Sequence, residues 1–172
     1  IGDIIEDMDY KFSDNDNGVN GIVFAHNTEY IGTICKYLEQ RYNGKEKNTK
    51  KIVKITGEVS LNKRQEIIEL MENSTNVILV GSFGAVGTGL TFKNVQYGIF
   101  AQSFKSEIIV KQSLGRLMLK GSTGNPDQDN YFYLFDMIDE FKMSGKLKKH
   151  GSEKLNIYKK EGYKVEIEEV LI

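Results

Sequence analysis

Short apolar runs alternate with segments of helical periodicity along most of the chain. Runs rich in Val, Ile and Phe predict five strands, at residues 21–25, 51–56, 76–82, 96–102 and 129–138. Three helices are predicted between them: one capped by Asn27 or Thr28 and ending near Arg41, one capped by Ser60, and one over residues 106–119. This alternation predicts an α/β fold, a parallel sheet flanked by helices on both faces.

Composition indicates one globular domain. The chain has 172 residues, of which 40% are hydrophobic and 10% aromatic, enough to build a core. No apolar run approaches the roughly 18 residues of a membrane span, so we expect a cytoplasmic protein (host cytoplasm if viral) with no membrane partner. A single cysteine, Cys35, excludes an internal disulfide, and its apolar helical neighbours predict core packing. With two histidines in the chain, we expect no metal site of the Cys/His type.

Charge divides the chain into three segments. Residues 1–20 hold six acids against Lys11, and residues 142–160 hold seven lysines against Glu153. We therefore expect an acidic linker over 1–20, the α/β domain over 21–141 and a basic helical tail over 142–172. A basic tail on a neutral body favours a polyanionic partner, although a solvated helix face explains it equally well. The start of the chain has no Met, and we expect a piece of a longer protein.

A glycine-rich loop and an isolated arginine are the candidate phosphate-binding elements. The loop at residues 81–94 directly follows the apolar run of residues 76–80. After a further predicted strand, Arg116 lies in a Gln112-x-x-Gly115-Arg116 frame on a predicted helix. Arginine suits phosphate because its planar fork stays charged and binds two oxygens. The chain has no G-x-x-x-x-G-K loop, and the spacing Gly84-x-x-Gly87-x-Gly89 reverses the dinucleotide fingerprint. The acids in residues 135–141 could bind magnesium, but capping and solvation explain them better.

Four strings in this order resemble known helicase motifs. They are "GIVFAHNTEY", "KITGEVSLNKR", "ILVGSFGAVGTGLTFKNV" and "VKQSLGRLMLK". They resemble motifs IV, IVa, V and VI of superfamily 2 helicases, within the second RecA-like domain, and are most similar to the repair and recombination helicases of T4-type phages. The resemblance covers residues 20–172. It implies a RecA-like fold and one half of a motor driven by ATP.

The resemblance also implies roles for individual residues. Gln112 and Arg116 would be catalytic and face ATP, with Arg116 as an arginine finger on the γ-phosphate. Further residues would approach the nucleotide: Gly87, Gly89, Thr91 and Lys120. Others would contact the nucleic-acid backbone: His26, Asn27, Gly57, Ser82, Phe83, Gly84, Lys105, Ser106 and, in the tail, Lys148 and Lys149.

One position departs from the family pattern Q-x-x-G-R-x-x-R, because Leu119 replaces the second arginine. The leading hypothesis is the C-terminal motor domain of an ATP-dependent DNA helicase or translocase, acting on branched DNA or R-loops in phage-type recombination and repair. ATP with Mg²⁺ would be held mainly by an N-terminal RecA-like domain outside this chain, which alone would not hydrolyse ATP. The expected partners are that domain and branched or duplex DNA, with RNA–DNA hybrids as a further candidate. The alternative is a nucleic-acid-binding module that has lost the motor.

Overall fold

Five parallel strands form one sheet in the part of the chain that the computed structural model describes. The described residues are 1–12, 18–44, 49–57, 59–87, 92, 94–102, 132–138 and 145–168. The strands are β1 (Gly21–Ala25), β2 (Lys51–Ile55), β3 (Val77–Ser82), β4 (Tyr97–Phe100) and β5 (Tyr133–Asp136). Their spatial order is β2-β3-β1-β4-β5, and all neighbouring pairs are parallel. Each strand lies within a predicted run, which confirms the predicted α/β parallel sheet.

Helices connect and cover these strands. They are α1 (Gly2–Phe12), α2 (Thr28–Tyr42), α3 (Leu61–Asn73), α4 (Phe83–Gly87) and α5 (Gly145–Lys160). Asn27 caps α2, since its side-chain oxygen accepts hydrogen bonds from two backbone N–H groups of the first turn, and Ser60 caps α3 in the same way. The predicted cap at Ser60 is confirmed, and of the two candidates Asn27 and Thr28 the structure selects Asn27. The helix predicted over 106–119 lies outside the described residues.

The sheet is apolar on both faces because alternate residues of each strand point to opposite sides. On β1, Ile22 and Phe24 belong to one buried cluster, while Val23 and Ala25 belong to the other. Helices α1 and α2 cover the second face, where Cys35 is buried as predicted. Burial raises the pKa of the Cys35 thiol. Among the described residues, no helix is long and apolar enough to cross a membrane.

Helix α1 corrects the linker prediction for residues 2–12. Ile5 and Met8, one helical turn apart, are buried against the sheet, so this segment is part of the domain. Three of its four acids also have partners in the body of the domain. Asp9 forms a buried ion pair with Lys50, with 2.5 Å between Oδ1 and Nζ, and Arg41 donates hydrogen bonds to two exposed carboxylates of α1. Three of the acids counted in residues 1–20 thus pair with the domain, which charge counting alone did not reveal.

A buried amide aligns the edge of the sheet where the strands begin. The Asn20 Nδ2 group lies within hydrogen-bond distance of three backbone carbonyl oxygens, those of Met71 (3.0 Å), Ser74 (2.7 Å) and Asn94 (3.0 Å). Its Oδ1 accepts a hydrogen bond of 2.8 Å from the N–H of Val77, the first residue of β3. One side chain thus links the start of β1, the end of α3, the start of β3 and the approach to β4.

Replacing Asn20 with Ala should destabilise the protein by about 3 kcal/mol. The substitution leaves buried backbone groups without partners, and each such group costs about 1–3 kcal/mol. The free energy of unfolding from urea denaturation measures the effect. Asn73→Ala is the matched control, because Asn73 is exposed and donates one hydrogen bond to the Glu69 carbonyl. That control should stay within about 0.5 kcal/mol of wild type. Equal effects of the two substitutions would refute the role assigned to Asn20.

Candidate functional site

The carboxyl ends of the strands meet at one edge of the sheet. The strands are in register there, with Ala25 of β1 beside Ser82 of β3 and Ile55 of β2 beside Gly81 of β3. Because strands lie about 4.8 Å apart, the five strand ends span about 20 Å. In sheets of this class ligands bind outside the carboxyl ends of the strands. The structure therefore brings together several sequence-predicted residues: His26, Asn27, Gly57, Ser82, Phe83 and Gly84.

His26 and Asn27 lie at the centre of this edge, after β1. Both are exposed. The backbone N–H of His26 donates a hydrogen bond of 2.7 Å to Gln102 Oε1, which joins the ends of β1 and β4. Asn27 accepts hydrogen bonds from the N–H groups of Glu29 and Tyr30 and so fixes the start of α2. Since the N-terminus of a helix carries partial positive charge, α2 favours an anion beside this edge.

Two exposed glycines lie on one side of the centre of the edge, after the adjacent strands β2 and β3. A Cβ added at Gly57, after β2, or at Gly84, in α4, would meet no described atom within 4 Å. Neither glycine is required by the packing around it, and neither has the positive φ that only glycine adopts easily. A glycine without a Cβ also lets a partner's backbone approach closely. These positions are therefore suited to contact with a chain outside the protein.

Phe83 anchors this edge to the core. Its side chain is 5% exposed and stacks on Phe24 with 4.8 Å between ring centroids, while the Phe100 ring lies 5.2 Å away at a tilt. Because the ring is buried, Phe83 can contact a ligand only through its backbone, for example by donating a hydrogen bond from its N–H group. The preceding residue, Ser82, accepts a hydrogen bond of 3.3 Å from the N–H of Ala85 through its hydroxyl oxygen. Backbone groups and one hydroxyl thus form the β3 part of the edge.

Arg64 is a residue of this region that sequence reasoning did not assign. Its Nε donates to the Val59 carbonyl oxygen at 3.2 Å, and its Nη1 donates to the Ala85 carbonyl oxygen at 2.9 Å. The guanidinium thereby joins the segment after β2 to α4. A signal was available in the sequence, because a basic residue near the start of a helix opposes the helix dipole and needs a specific partner.

At the end of β5, Asp136 is engaged by two side chains of α5. Its Oδ1 lies 2.5 Å from Lys154 Nζ, and its Oδ2 accepts a hydrogen bond of 2.7 Å from the Tyr158 hydroxyl. Burial, together with Asp136, raises the pKa of Tyr158. Lys154 was counted among the lysines of the basic tail, but it is buried in this ion pair and its charge is neutralised there. Among the described residues, no group of three or more His, Cys, Asp and Glu side chains could hold a metal ion.

The remaining predicted residues are only partly covered. Gly87 is the last residue of α4, and Lys148 and Lys149 lie near the start of α5, where the backbone is described. The rest of the predicted set lies outside the described residues: Gly89, Thr91, Lys105, Ser106, Gln112, Arg116 and Lys120. The structure thus describes the strand-end half of the predicted site, and the motif VI half stays a prediction from sequence.

Comparisons with known proteins agree with this geometry. The family model described as helicase conserved C-terminal domain matches residues 3–121, a range that includes all four motif strings. The ATP-dependent DNA helicase uvsW of Enterobacteria phage T4 is 30% identical over 101 residues, which are 59% of this chain and 19% of that protein. The chain therefore spans about a fifth of the length of this curated relative.

Solved structures show the same fold. The crystal structure of T4 UvsW matches 93% of this chain and 32% of that chain, with a TM-score of 0.65 and 22% identity. Domain 2 of the DEAD-box helicase Mss116p, solved bound to an RNA duplex, matches 78% of this chain and 48% of that chain, with a TM-score of 0.57 and 16% identity. These likenesses confirm the predicted RecA-like fold.

Replacing Arg64 with Met should loosen two segments of the edge together. Loss of the guanidinium removes hydrogen bonds from Arg64 to both segments, and bonds to a charged group are worth about 1.5–3 kcal/mol each. Amide hydrogen exchange should become about tenfold faster or more in residues 59–60 and in α4. Lys63→Met is the control, since Lys63 is exposed and pairs with Glu66, one turn along the same helix. Faster exchange in one segment alone would contradict the link.

Proposed function

The chain belongs to the helicase conserved C-terminal domain family, and from this premise we propose that it is the C-terminal motor domain of an ATP-dependent DNA helicase or translocase. Its substrates would be branched DNA or R-loops in phage-type recombination and repair. The likeness to the T4 helicase supports this choice over other members of the family. An N-terminal RecA-like domain, which we place outside this chain, would be its partner.

The observation that carries the proposal is the shared edge of strand ends. His26 and Gly57 follow β1 and β2, Ser82 ends the adjacent strand β3, and the exposed glycines leave room for a close backbone. Hydroxyl and amide donors of this kind pair with phosphate oxygens irrespective of base sequence. A motor that moves along DNA needs such contacts, because it must grip every sequence it meets. Lys105 and Ser106 are proposed to continue the same track.

The ATP contacts of this chain are proposed for Gln112, Arg116 and Lys120, with Gly87, Gly89 and Thr91 approaching the nucleotide. Arg116 would stabilise negative charge that develops on the γ-phosphoryl oxygens. The chain has three arginines, and the structure supports this assignment indirectly because Arg41 and Arg64 are engaged within the domain. ATP with Mg²⁺, held mainly by the N-terminal domain, supplies the free energy for movement when it is hydrolysed.

Movement would come from closure and reopening of the two domains. Arg116 can reach a nucleotide held by the partner domain only when the domains are closed, so its contact couples closure to hydrolysis. Each domain would hold backbone phosphates in turn. Leu119 cannot replace the second arginine of the family pattern, because leucine offers no hydrogen bond, and Arg116 would then carry this role alone. Leu119 is also the observation that favours the second candidate, a nucleic-acid-binding module without a motor.

Arg116→Ala should lower kcat for ATP hydrolysis by the full-length protein at least about 10³-fold, because an arginine finger contributes about 10³–10⁵. DNA binding should stay near wild type, since Arg116 is assigned to the nucleotide. Steady-state ATPase assays with DNA present measure the first effect, and fluorescence anisotropy measures the second. If the variant hydrolyses ATP at the wild-type rate, Arg116 is not an arginine finger. Wild-type protein without DNA-stimulated ATPase activity would favour the non-motor candidate.

Replacing Lys148 and Lys149 together with neutral residues should lower the affinity of the full-length protein for DNA. It should also make that affinity less dependent on salt concentration. Binding releases counterions from the DNA phosphates that the protein contacts, so each lost contact reduces the steepness of log K against log [salt] by about 0.9 on duplex DNA. The loss should be similar for unrelated sequences, because phosphate contacts do not read bases.

Lys159 and Lys160 provide the matched control for this experiment. They are exposed lysines in the last turn of the same helix, so their double substitution removes the same charge from its other end. If the two double variants behave alike, the helix contributes only general positive charge. If the Lys148 and Lys149 substitutions change neither affinity nor slope, the DNA track runs over the strand ends alone.

A further inference from the structure

Helix α5 runs antiparallel to β5 and begins at the edge where the strands end. A Cβ added at Gly151 would lie 2.9 Å from Ile138 Cγ2, two residues beyond the end of β5. Three residues further along α5, Lys154 reaches Asp136, the last residue of β5. The helix thus passes from beyond the strand toward its beginning. At about 1.5 Å per residue, the backbone of residues 145–149 continues about 3–9 Å beyond Gly151 along the same helix axis, away from the beginning of β5.

The contact at Asp136 determines this position. Both carboxylate oxygens are engaged, one by the Lys154 ammonium and one by the Tyr158 hydroxyl. The side chains of Asp136 and Lys154 are 9% and 3% exposed. Ion pairs excluded from water in this way tolerate little displacement, since a buried charge without its partner is strongly unfavourable. Gly151 allows the close approach of helix and strand that the pair requires.

Asp136 is also continuous with the centre of the candidate site. It lies beside Phe100 at the end of β4, and the N–H of Met137 donates to the Phe100 carbonyl oxygen at 3.0 Å. Two residues beyond Phe100, Gln102 accepts the backbone hydrogen bond of His26. The ends of β1, β4 and β5 are therefore connected, and Asp136 joins them to α5 through Lys154 and Tyr158.

We propose that Asp136 is a positioning residue, which docks α5 so that Lys148 and Lys149 extend the nucleic-acid track beyond β5. The inference rests on the proposed function, in which these lysines contact DNA phosphates. Asp136 itself would touch no DNA, because both of its carboxylate oxygens bind α5. Asp136 would affect DNA binding only by fixing the position and orientation of α5.

A double-mutant cycle on the full-length protein tests this role. The dissociation constant for labelled duplex DNA is measured at several salt concentrations with and without the Lys148→Ala and Lys149→Ala pair. In the wild-type background the pair should weaken binding at least about fivefold and flatten the salt slope. In the Asp136→Asn background the same pair should change affinity less than about twofold, because the helix no longer holds the lysines on the track.

Glu153→Gln is the control background. It makes the same acid-to-amide change on an exposed residue of α5, and the lysine effect should keep its wild-type size there. Should Asp136→Asn prevent folding, Lys154→Met combined with Tyr158→Phe removes both partners from the helix side and leaves β5 intact. Hydrogen exchange should then increase in residues 145–160 and stay unchanged in β1 and β3.

The outcomes separate the two proposals. A lysine effect of equal size in the wild-type and docking-variant backgrounds would overturn the positioning role and leave the DNA contact standing. No lysine effect in the wild-type protein would overturn the DNA contact, and the positioning role with it. Loss of the lysine effect in the docking variants alone supports both.

Discussion

The buried amide of Asn20 fixes where three of the five strands begin. The Asn20 Oδ1 atom accepts a hydrogen bond from the N–H of Val77, the first residue of β3. The Asn20 backbone carbonyl accepts one of 3.1 Å from the N–H of Gln96, just before β4. Asn20 itself immediately precedes β1. Parallel strands of four to six residues that start together also end together. Because Asn20 aligns the beginnings of these strands, it also aligns their carboxyl ends. His26 and Ser82 therefore lie together at that end of the sheet.

The strands and two helix caps could be predicted because their signals are local. A buried β-branched run and a Ser or Asn before a helical pattern act within a few residues, so β3 and the caps at Asn27 and Ser60 followed from the sequence. Helix α1 could not be predicted by charge, since the partners of its acids, Lys50 and Arg41, lie about 35 to 41 residues away along the chain. Its apolar pair, Ile5 and Met8, was the better signal.

The candidate site was predicted in part for the same reason. Residues one or two positions after a strand, such as His26, Gly57 and Gly84, could be placed at one edge as soon as the sheet was known to be parallel. The roles of Arg64 and Asp136 depend on contacts between distant elements, with Ala85 and with α5. No spacing within one motif contains that information. Lys154 shows the converse, because its charge was counted toward a polyanion surface while its ammonium group is buried against a carboxylate.

The stacked rings of Phe24, Phe83 and Phe100 have a mechanical consequence. They come from β1, from the start of α4 and from β4, so α4, which directly follows β3, is also packed against two further strands. Pulling on α4 would deform the packed core before it could displace α4 alone. The strand-end edge is in this way stiff at α4, and a displacement applied there would be transmitted to the sheet.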